Sequence, residues 1–342
     1  MKLFRKTDIV KAIKATVLTL GALLTLSSCD AFNEKLDPCP QGLKIRFIYD
    51  YTLEGGNAFP AQVDCLTLHV YDAAGNYVCT ATETSEALKD ENYRMVLDLP
   101  EGSYSLVAYG GVACENASFS HTALPDKGSR LEDVGMQIND ECLEPGNPKG
   151  HLHDLFYGAI NVSVNNPITY TEATVPMMKD TNHFRILLQH LNYEPLHGKD
   201  YEFEITDDNT LFDHTNMLVD NGKITYTPWA KGQVSTGVTD GSRVITEVNL
   251  AYAELSTSRL MTMRHPRLVV RHIPSGKTCI DIPLINYLLA LRSDRYMQYK
   301  DQEFLDRQSN WDMLFFMSDA QTWYKAYIKV NNWDVRINDI EN

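Results

Sequence analysis

The chain has 342 residues, of which 44% are hydrophobic and 22% charged. That length fits two ordinary domains, and the composition builds globular cores without a disulfide scaffold. The formal net charge of −14 lacks the basic footprint of a nucleic-acid binder and excludes that class of partner.

Residues 1–28 read as an export signal. Lys2, Arg5, Lys6, Lys11 and Lys14 form a basic end, with Asp8 the only acid among them, and Ala15 to Leu26 is a short apolar run. The run falls short of the roughly 20 residues that span a bilayer, so it is a leader rather than a membrane helix. It ends in Leu26-Ser27-Ser28-Cys29, an aliphatic residue, two small ones and a cysteine. This is the pattern of a bacterial lipobox. Cleavage between Ser28 and Cys29 would leave Cys29 as the lipid-bearing first residue, and several acyl chains give stable attachment. Removing the leader takes away five basic residues and one acid, so the mature chain is more acidic still. Residues 29–41 are polar and read as a tether.

Six cysteines remain: Cys39, Cys65, Cys79, Cys114, Cys142 and Cys279. An exported compartment permits disulfides, and six thiols allow fifteen full pairings, among which the spacing does not choose. Five of the six precede residue 150, so at most two bridges fit wholly inside the first half.

In chain order, Gly42 to Tyr51 alternates Leu43, Ile45 and Phe47 against Lys44 and Arg46, a half-buried strand. Val63 to Asp72 sets Val63, Cys65, Thr67 and His69 against Leu66, Leu68 and Val70, and Ala73 to Asn76 turns the chain into a hairpin strand from Tyr77 to Thr82. Ser85 to Glu91 is a short helical piece capped by Ser85. Tyr93 to Ala113 carries two strands around Pro100-Glu101-Gly102-Ser103, where proline sets the turn and Gly102 is expected in the left-handed region. Residues 114–150 are loop-rich. A closing strand at Leu155 to Ile160 precedes a crossing at Asn161 to Pro167. This divides the chain into an N-terminal domain over 42–165 and a C-terminal domain over 166–342.

The second half repeats short strands: Glu172 to Met178, His183 to Leu191, Tyr201 to Thr206, Lys223 to Tyr226, Val244 to Leu250 and Arg267 to Arg271. Asp213 to Gly222 is expected to be loop. Ile282 to Leu291 is apolar and fits strand or helix, and Ser293 to Arg307 holds the best helix candidate. Trp311 to Met317 and Trp323 to Val330 are core strands, and Trp333, Val335 and Ile337 alternate in a terminal edge strand that is the candidate partner strand. The fold class expected is all-β, two tandem β-sandwich domains with one or two short helices.

Motifs for chemistry are sparse. No G-x-S-x-G elbow, H-E-x-x-H pair or phosphate-binding glycine loop occurs. His151-x-His153-Asp154 has spacing for a metal, but in a Pro/Gly-rich loop it reads as a solvated tip. No CxxC occurs, so no metal site and no cofactor are expected. His183 and His190 read as sheet-surface residues, and Asp207-Asp208 as solvated turn acids. Neither an enzymatic activity nor a small-molecule substrate is expected.

An ordered set of stretches resembles one family. It runs from the lipobox Cys29 through Cys39 to Phe47, Ala58-Phe59-Pro60 with Val63-Asp64, Leu68 to Gly75, Leu99 to Tyr104 and Val107 to Gly111. It continues in Ile282-Pro283-Leu284 with Tyr287-Leu288, Glu303 to Gln308 and Asn332-Trp333. Together these are similar to the anchor lipoproteins of Bacteroidales fimbriae, the type V pili. The resemblance implies transthyretin-like sandwiches, an outer-membrane location through lipid on Cys29, and fimbrial pilin subunits as partners. It also implies a role at the fibre base, with subunits joined by strand donation. A stalk or tip pilin of the same class, cut after a basic residue such as Arg94 or Lys127, is an alternative within the family. A surface glycan-binding lipoprotein is the alternative outside it.

Cys29→Ala is expected to move the protein from the membrane fraction to the soluble fraction after cell lysis. Unchanged partitioning of an exported, correctly processed Cys29→Ala protein would contradict lipidation at this site.

Overall fold

The computed structural model describes residues 41–166, 168–240, 243–290, 292–330 and 333–336. In chain order the first half contributes β1 (Gly42–Ile48), the short helix α1 (Phe59–Gln62), β2 (Leu66–Asp72), β3 (Tyr77–Glu83), β4 (Met95–Leu97) and β5 (Gly102–Gly110). It continues with β6 (Phe119–His121), β7 (Met136–Ile138), β8 (Phe156–Val164), β9 (Tyr170–Pro176) and β10 (Met178–Lys179). A three-stranded sheet, β4-β1-β9, faces a five-stranded sheet, β10-β8-β5-β2-β3. Leu43, Ile45 and Phe47 point between them, as their alternation predicts, and meet Leu66, Leu68, Val70, Leu106 and Ala108. Ser85 caps a 3₁₀ turn over Glu86–Lys89, its Oγ accepting from the Ala87 amide at 3.3 Å.

Gly42 opens β1 at φ +126°, and a Cβ there would sit 2.0 Å from the Leu97 carbonyl oxygen, so only glycine lets β1 lie against β4. The turn at Pro100 is not a hairpin. Leu97 belongs to one sheet and Gly102 to the other, so the segment carries the chain across the sandwich. Gly102 is absent from the positive-φ positions. Its missing side chain instead makes room for the Tyr104 ring, whose hydroxyl donates to the Pro100 carbonyl at 3.0 Å.

Two expectations change here. The face of β2 carrying Thr67 and His69 is covered as fully as the other, because the five-stranded sheet is the middle of three layers. The third layer is a four-stranded sheet, β14-β13-β7-β6, built jointly by the loop-rich excursion after β5 and by two short strands of the second half. His69 meets His121 of β6 there, Nε2 to Nε2 at 3.1 Å, and burial together with the neighbouring imidazole pushes the His69 pKa down to about 3. The boundary also moves. Asn161 to Val164 continue β8, β9 runs parallel to β1 from Gly42↔Tyr170 to Ile48↔Pro176, and β10 pairs with β8. The N-terminal sheets therefore extend to Lys179 rather than stopping at 165. Pairing decides this: β9 supplies the parallel neighbour that β1 needs on its open side.

The second half contributes β11 (Thr181–His190), β12 (Tyr201–Asp207), β13 (Leu211–Phe212), β14 (Leu218–Val219), β15 (Ile224–Tyr226), β16 (Ala230–Asp240) and β17 (Arg243–Ser258). After these come β18 (Arg267–His272), β19 (Lys277–Pro283), α2 (Leu284–Ala290), α3 (Asp301–Arg307), β20 (Asn310–Met317), β21 (Trp323–Val330) and β22 (Trp333–Arg336). A six-stranded sheet, β16-β17-β11-β20-β21-β22, packs on a four-stranded one, β15-β12-β18-β19. Phe184, Ile186 and Leu188 of β11 oppose Tyr201, Phe203 and Ile205 of β12 in the core. The ambiguous apolar run divides at Pro283: strand before, helix after. The segment expected to be loop after Asp213 contains β14. No helix among the described residues is long and apolar enough to cross a membrane.

Candidate functional site

For a protein without a catalytic motif, the informative places are its two outer ends and the junction that couples them. Ser28, Cys29 and the tether as far as residue 40 lie outside the described residues. The chain enters the fold at Gly42, and β1 then runs inward: the Ile48 carbonyl accepts from the Met177 amide, just before β10 and β11 lead into the second half. β11 continues outward to His190, with β20 parallel to it from His183↔Asn310 to His190↔Met317. The entry at Gly42 and the outer edge of the second sandwich therefore sit at opposite ends of one strand path.

Two backbone edges of the second sandwich stand open, one along its side and one reaching past its outer end. Trp333 and Val335 lie on β22, the edge of the six-stranded sheet, and Ile337 falls outside the described residues. β22 pairs only with β21 among the described residues, through Val330↔Trp333, Lys329↔Asp334, Ile328↔Val335 and Tyr327↔Arg336. Hydrogen-bonded and non-bonded pairs alternate in an antiparallel ladder, and Val330↔Trp333 closes the hairpin. The backbone groups of Asp334 and Arg336 therefore turn to the open side. On the other edge, β17 pairs with β11 only as far as Leu188↔Ala251, while its ladder with β16 continues to Asp240↔Arg243. At about 3.3 Å per residue, this two-stranded arm reaches roughly 25 Å past the sheet. Its root is clamped: Gly198 packs so closely on Gly232 that a Cβ would lie 2.1 Å from the Gly232 carbonyl oxygen, and Lys231 Nζ donates to the Tyr201 carbonyl at 3.2 Å.

The junction is polar and buried. Arg259, just past β17, makes a bidentate pair with Asp306 of α3, Nε to Oδ1 and Nη2 to Oδ2 both at 2.8 Å, and its Nη1 donates to the Asn216 carbonyl at 2.9 Å. Asn216 Nδ2 in turn donates to Asp180 Oδ1 at 3.0 Å. Asp180 is fully buried and its Oδ2 has no protein partner. Burial raises its pKa to about 7, against the pull of Arg259 and the Asn216 hydrogen bond. A second knot lies beside it. Asp154 holds Lys179 Nζ at 2.6 Å, His183 Nε2 at 2.8 Å and the Thr181 hydroxyl at 2.7 Å. Burial opposes the Asp154 charge, but the His183 hydrogen bond and the Lys179 ammonium outweigh it and hold the carboxyl well below the usual range. From the first half, Leu53 donates its amide to the Arg307 carbonyl at 3.2 Å, and the Arg307 guanidinium lies 4.0 Å over the Tyr51 ring.

Several residues read as surface groups are therefore not. His183 is tied into the junction. His190 is 4% exposed, and Asp207, also buried, has its pKa raised by burial to about 6. The His151–His153 pair separates: His151 stacks on Trp229 at 4.2 Å, and His153 Nε2 meets Asp64 Oδ1 at 3.1 Å. Of the six cysteines after Cys29, Cys65 and Cys114 are bridged, Cys79, Cys142 and Cys279 are free, and Cys39 lies outside the described residues. The pairing of Asp180, Arg259 and Asp306 gave no signal in the sequence: the three are far apart, Asp180 and Arg259 stand in polar stretches between strands, and Asp306 stands in the helix candidate with nothing to mark it as buried.

Comparison with known proteins gives a consistent set. Residues 36–339 match the family model of the fimbrillin-A-associated anchor proteins Mfa1 and Mfa2. An adhesin candidate from Bacteroides thetaiotaomicron is 52% identical, with a TM-score of 0.81 over 89% of this chain and 100% of its own. A candidate polysaccharide-binding protein from the same organism is 31% identical, with a TM-score of 0.72 over 88% and 99%. The fimbrial anchor protein Mfa2 of Porphyromonas gingivalis shares the fold at 15% identity, with a TM-score of 0.62 over 88% and 100%. No curated protein matches.

Two substitutions should separate the roles at the junction. Arg259→Ala takes the bidentate partner from the buried Asp306 carboxyl, which keeps only the Gln302 amide at 2.9 Å, and is expected to cost roughly 3–5 kcal/mol in urea unfolding. Asp180→Asn keeps a neutral group and should behave differently with pH. The folded pKa of about 7 is above the unfolded value, so the Asp180 contribution is present in acid and is lost as pH rises to 7. The stability of Asp180→Asn relative to wild type should accordingly rise between pH 4 and 7 and then level off. A difference independent of pH would contradict a neutral Asp180.

Proposed function

The chain belongs to the family of fimbrillin-A-associated anchor proteins, and from that premise we propose that it is the lipid-anchored base subunit of a fimbrium. In this reading lipid on Cys29 holds the N-terminal domain at the outer membrane, and the C-terminal domain meets the first pilin and terminates the fibre there. The chain is a structural protein without catalysis. The observation that carries the reading is the separation of the two ends. The tether enters at Gly42, whereas the β16–β17 arm extends past the outer end of the second sandwich, and β22 offers a second open edge along its side, with Arg336 level with Leu187 of β11. An extended segment of a pilin adding to such an edge would spread a pulling force over many backbone hydrogen bonds.

Glycan binding fits less well. It calls for a flat row of exposed aromatic rings, and among the residues whose side-chain exposure the structure describes, Tyr193 is the only aromatic among the strongly exposed large apolar ones. Trp229 is covered by His151.

Gentle outer-membrane extraction tests the proposal. Wild-type chain should appear in detergent-resistant, heat-labile ladders with other sandwich subunits. Asp334→Pro removes a backbone donor on the open side of β22 and leaves the Ile328↔Val335 pairing in place. It should keep the protein in the membrane while the ladder is lost, with Asp334→Ala as the matched control that retains it. A wild-type monomer from fimbriated cells would defeat the anchor reading. A ladder that survives Asp334→Pro would remove β22 as the contact.

A further inference from the structure

The strongest unassigned cluster lies on the first sandwich, away from the open edges and one residue along the chain from the Asp154 knot. Asp64 and Cys65 immediately precede β2, Cys114 follows β5, and His153 precedes β8. One ligand atom from each of the four lies within 4.8 Å of all the others. The crossing that gathers them depends on Gly111, at φ +89°, where a Cβ would meet the Asp154 carbonyl oxygen at 1.9 Å. The Gly111 amide donates to the Cys65 carbonyl at 3.1 Å, and the His153 amide donates to Ser118 Oγ at 2.7 Å, so the backbone on both sides is fixed.

Asp64 Oδ1 approaches His153 Nε2 at 3.1 Å and Cys114 Sγ at 3.0 Å. The first contact is an ordinary hydrogen bond. The second is not, because Cys114 is bridged to Cys65 and its sulfur carries no hydrogen to donate. A carboxylate oxygen and a histidine nitrogen converging on two sulfurs is the donor set of a tetrahedral zinc centre, which takes thiolate, imidazole and carboxylate ligands together. The Cα atoms of the two cysteines are 5.5 Å apart. That leaves room for their sulfurs to part to the about 3.7 Å that two thiolates on one zinc require, from Zn–S bonds of about 2.3 Å. Asp64 is exposed, which gives the ion a path in from solvent.

We propose that Asp64, Cys65, Cys114 and His153 form a zinc site when the Cys65–Cys114 disulfide is reduced, so that bridge and metal are alternative clasps for the same three segments. The reduction balances with a dithiol as co-reactant. It gives two electrons and two protons to the disulfide and itself becomes a disulfide, leaving two thiols. Zinc then displaces one proton from each thiol and binds the two thiolates, the neutral imidazole and the carboxylate.

The test uses the full mature chain, oxidised or reduced with a dithiol that is then removed, titrated with Co²⁺ and Zn²⁺ without oxygen. The reduced protein is expected to bind one Co²⁺ with a sulfur-to-cobalt charge-transfer band. His153→Ala and Asp64→Ala should each weaken binding more than about tenfold. The band should be missing from the oxidised protein and from the Cys65→Ser/Cys114→Ser double variant, which controls for Cys39, Cys79, Cys142 and Cys279. Zn²⁺ should raise the Tm of the reduced protein and leave that of the oxidised protein unchanged. Three results would overturn the proposal: no charge-transfer band on reduction, a band that persists in the double variant, or a reduced protein that unfolds and is not refolded by Zn²⁺.

Discussion

The buried pairing of Arg259 with Asp306, beside Asp180 and Asn216, ties the end of β17, α3, the β10–β11 connection and the loop before β14 into one buried polar group. One guanidinium faces two carboxylates. It hydrogen-bonds one of them, and the other, Asp180, 3.8 Å from its Nε, is pushed by burial towards its neutral form. A buried ion pair is weak evidence of net stability, because desolvation offsets most of the attraction. Stability comes instead from the apolar cluster around it, which runs without a break from Tyr71, Val107 and Tyr109 of the first half to Phe184, Phe315 and Trp311 of the second. The ionic group contributes geometry. An arginine held bidentately accepts few orientations of its partner helix, and so it fixes where α3 and the β10–β11 connection sit.

The shared sheet β14-β13-β7-β6 reinforces this. Its two halves come from opposite domains, joined by Leu211↔Gln137 and Phe212↔Met136. Two domains connected only by a linker would hinge by default. Backbone pairing across the boundary, a shared core and the Asp154 knot with Lys179 and His183 oppose hinging. The coupling matters for the proposed role. A base subunit has to pass a pull at its outer end to a tether at its other end, and it does so best when the parts between them do not move apart.

Much of this was legible in the sequence. The alternation of Leu43, Ile45 and Phe47, the hairpin at Ala73 to Asn76 and the clean period of Tyr201 to Thr206 all correspond to strands, because each has one face towards a core and local pattern reports that face. The Ser85 cap and the terminal β20–β21–β22 run were legible for similar reasons. What was hidden depends on pairing over long distances. The strand β16 was missed because Gly232 and Gly237 interrupt its pattern. The third layer was missed because strands of two or three residues carry no period. His69 and Thr67 look like solvent-facing residues until β6 and β7 cover them. The junction was the least legible part: Lys179-Asp180-Thr181-Asn182 reads as a polar linker and is in fact buried. Local sequence does not distinguish a solvated polar run from one satisfied by partners far along the chain.

The proposed role is positional: it places this chain at the base of a fibre and nowhere else along it. Gold labelling of the chain on intact fimbriated cells, viewed by electron microscopy, tests that claim most directly. The account predicts label at the point where each fibre meets the cell surface, with bare shafts and tips. Label repeating along the shafts, or confined to the tips, would contradict it and make the chain a stalk or tip pilin.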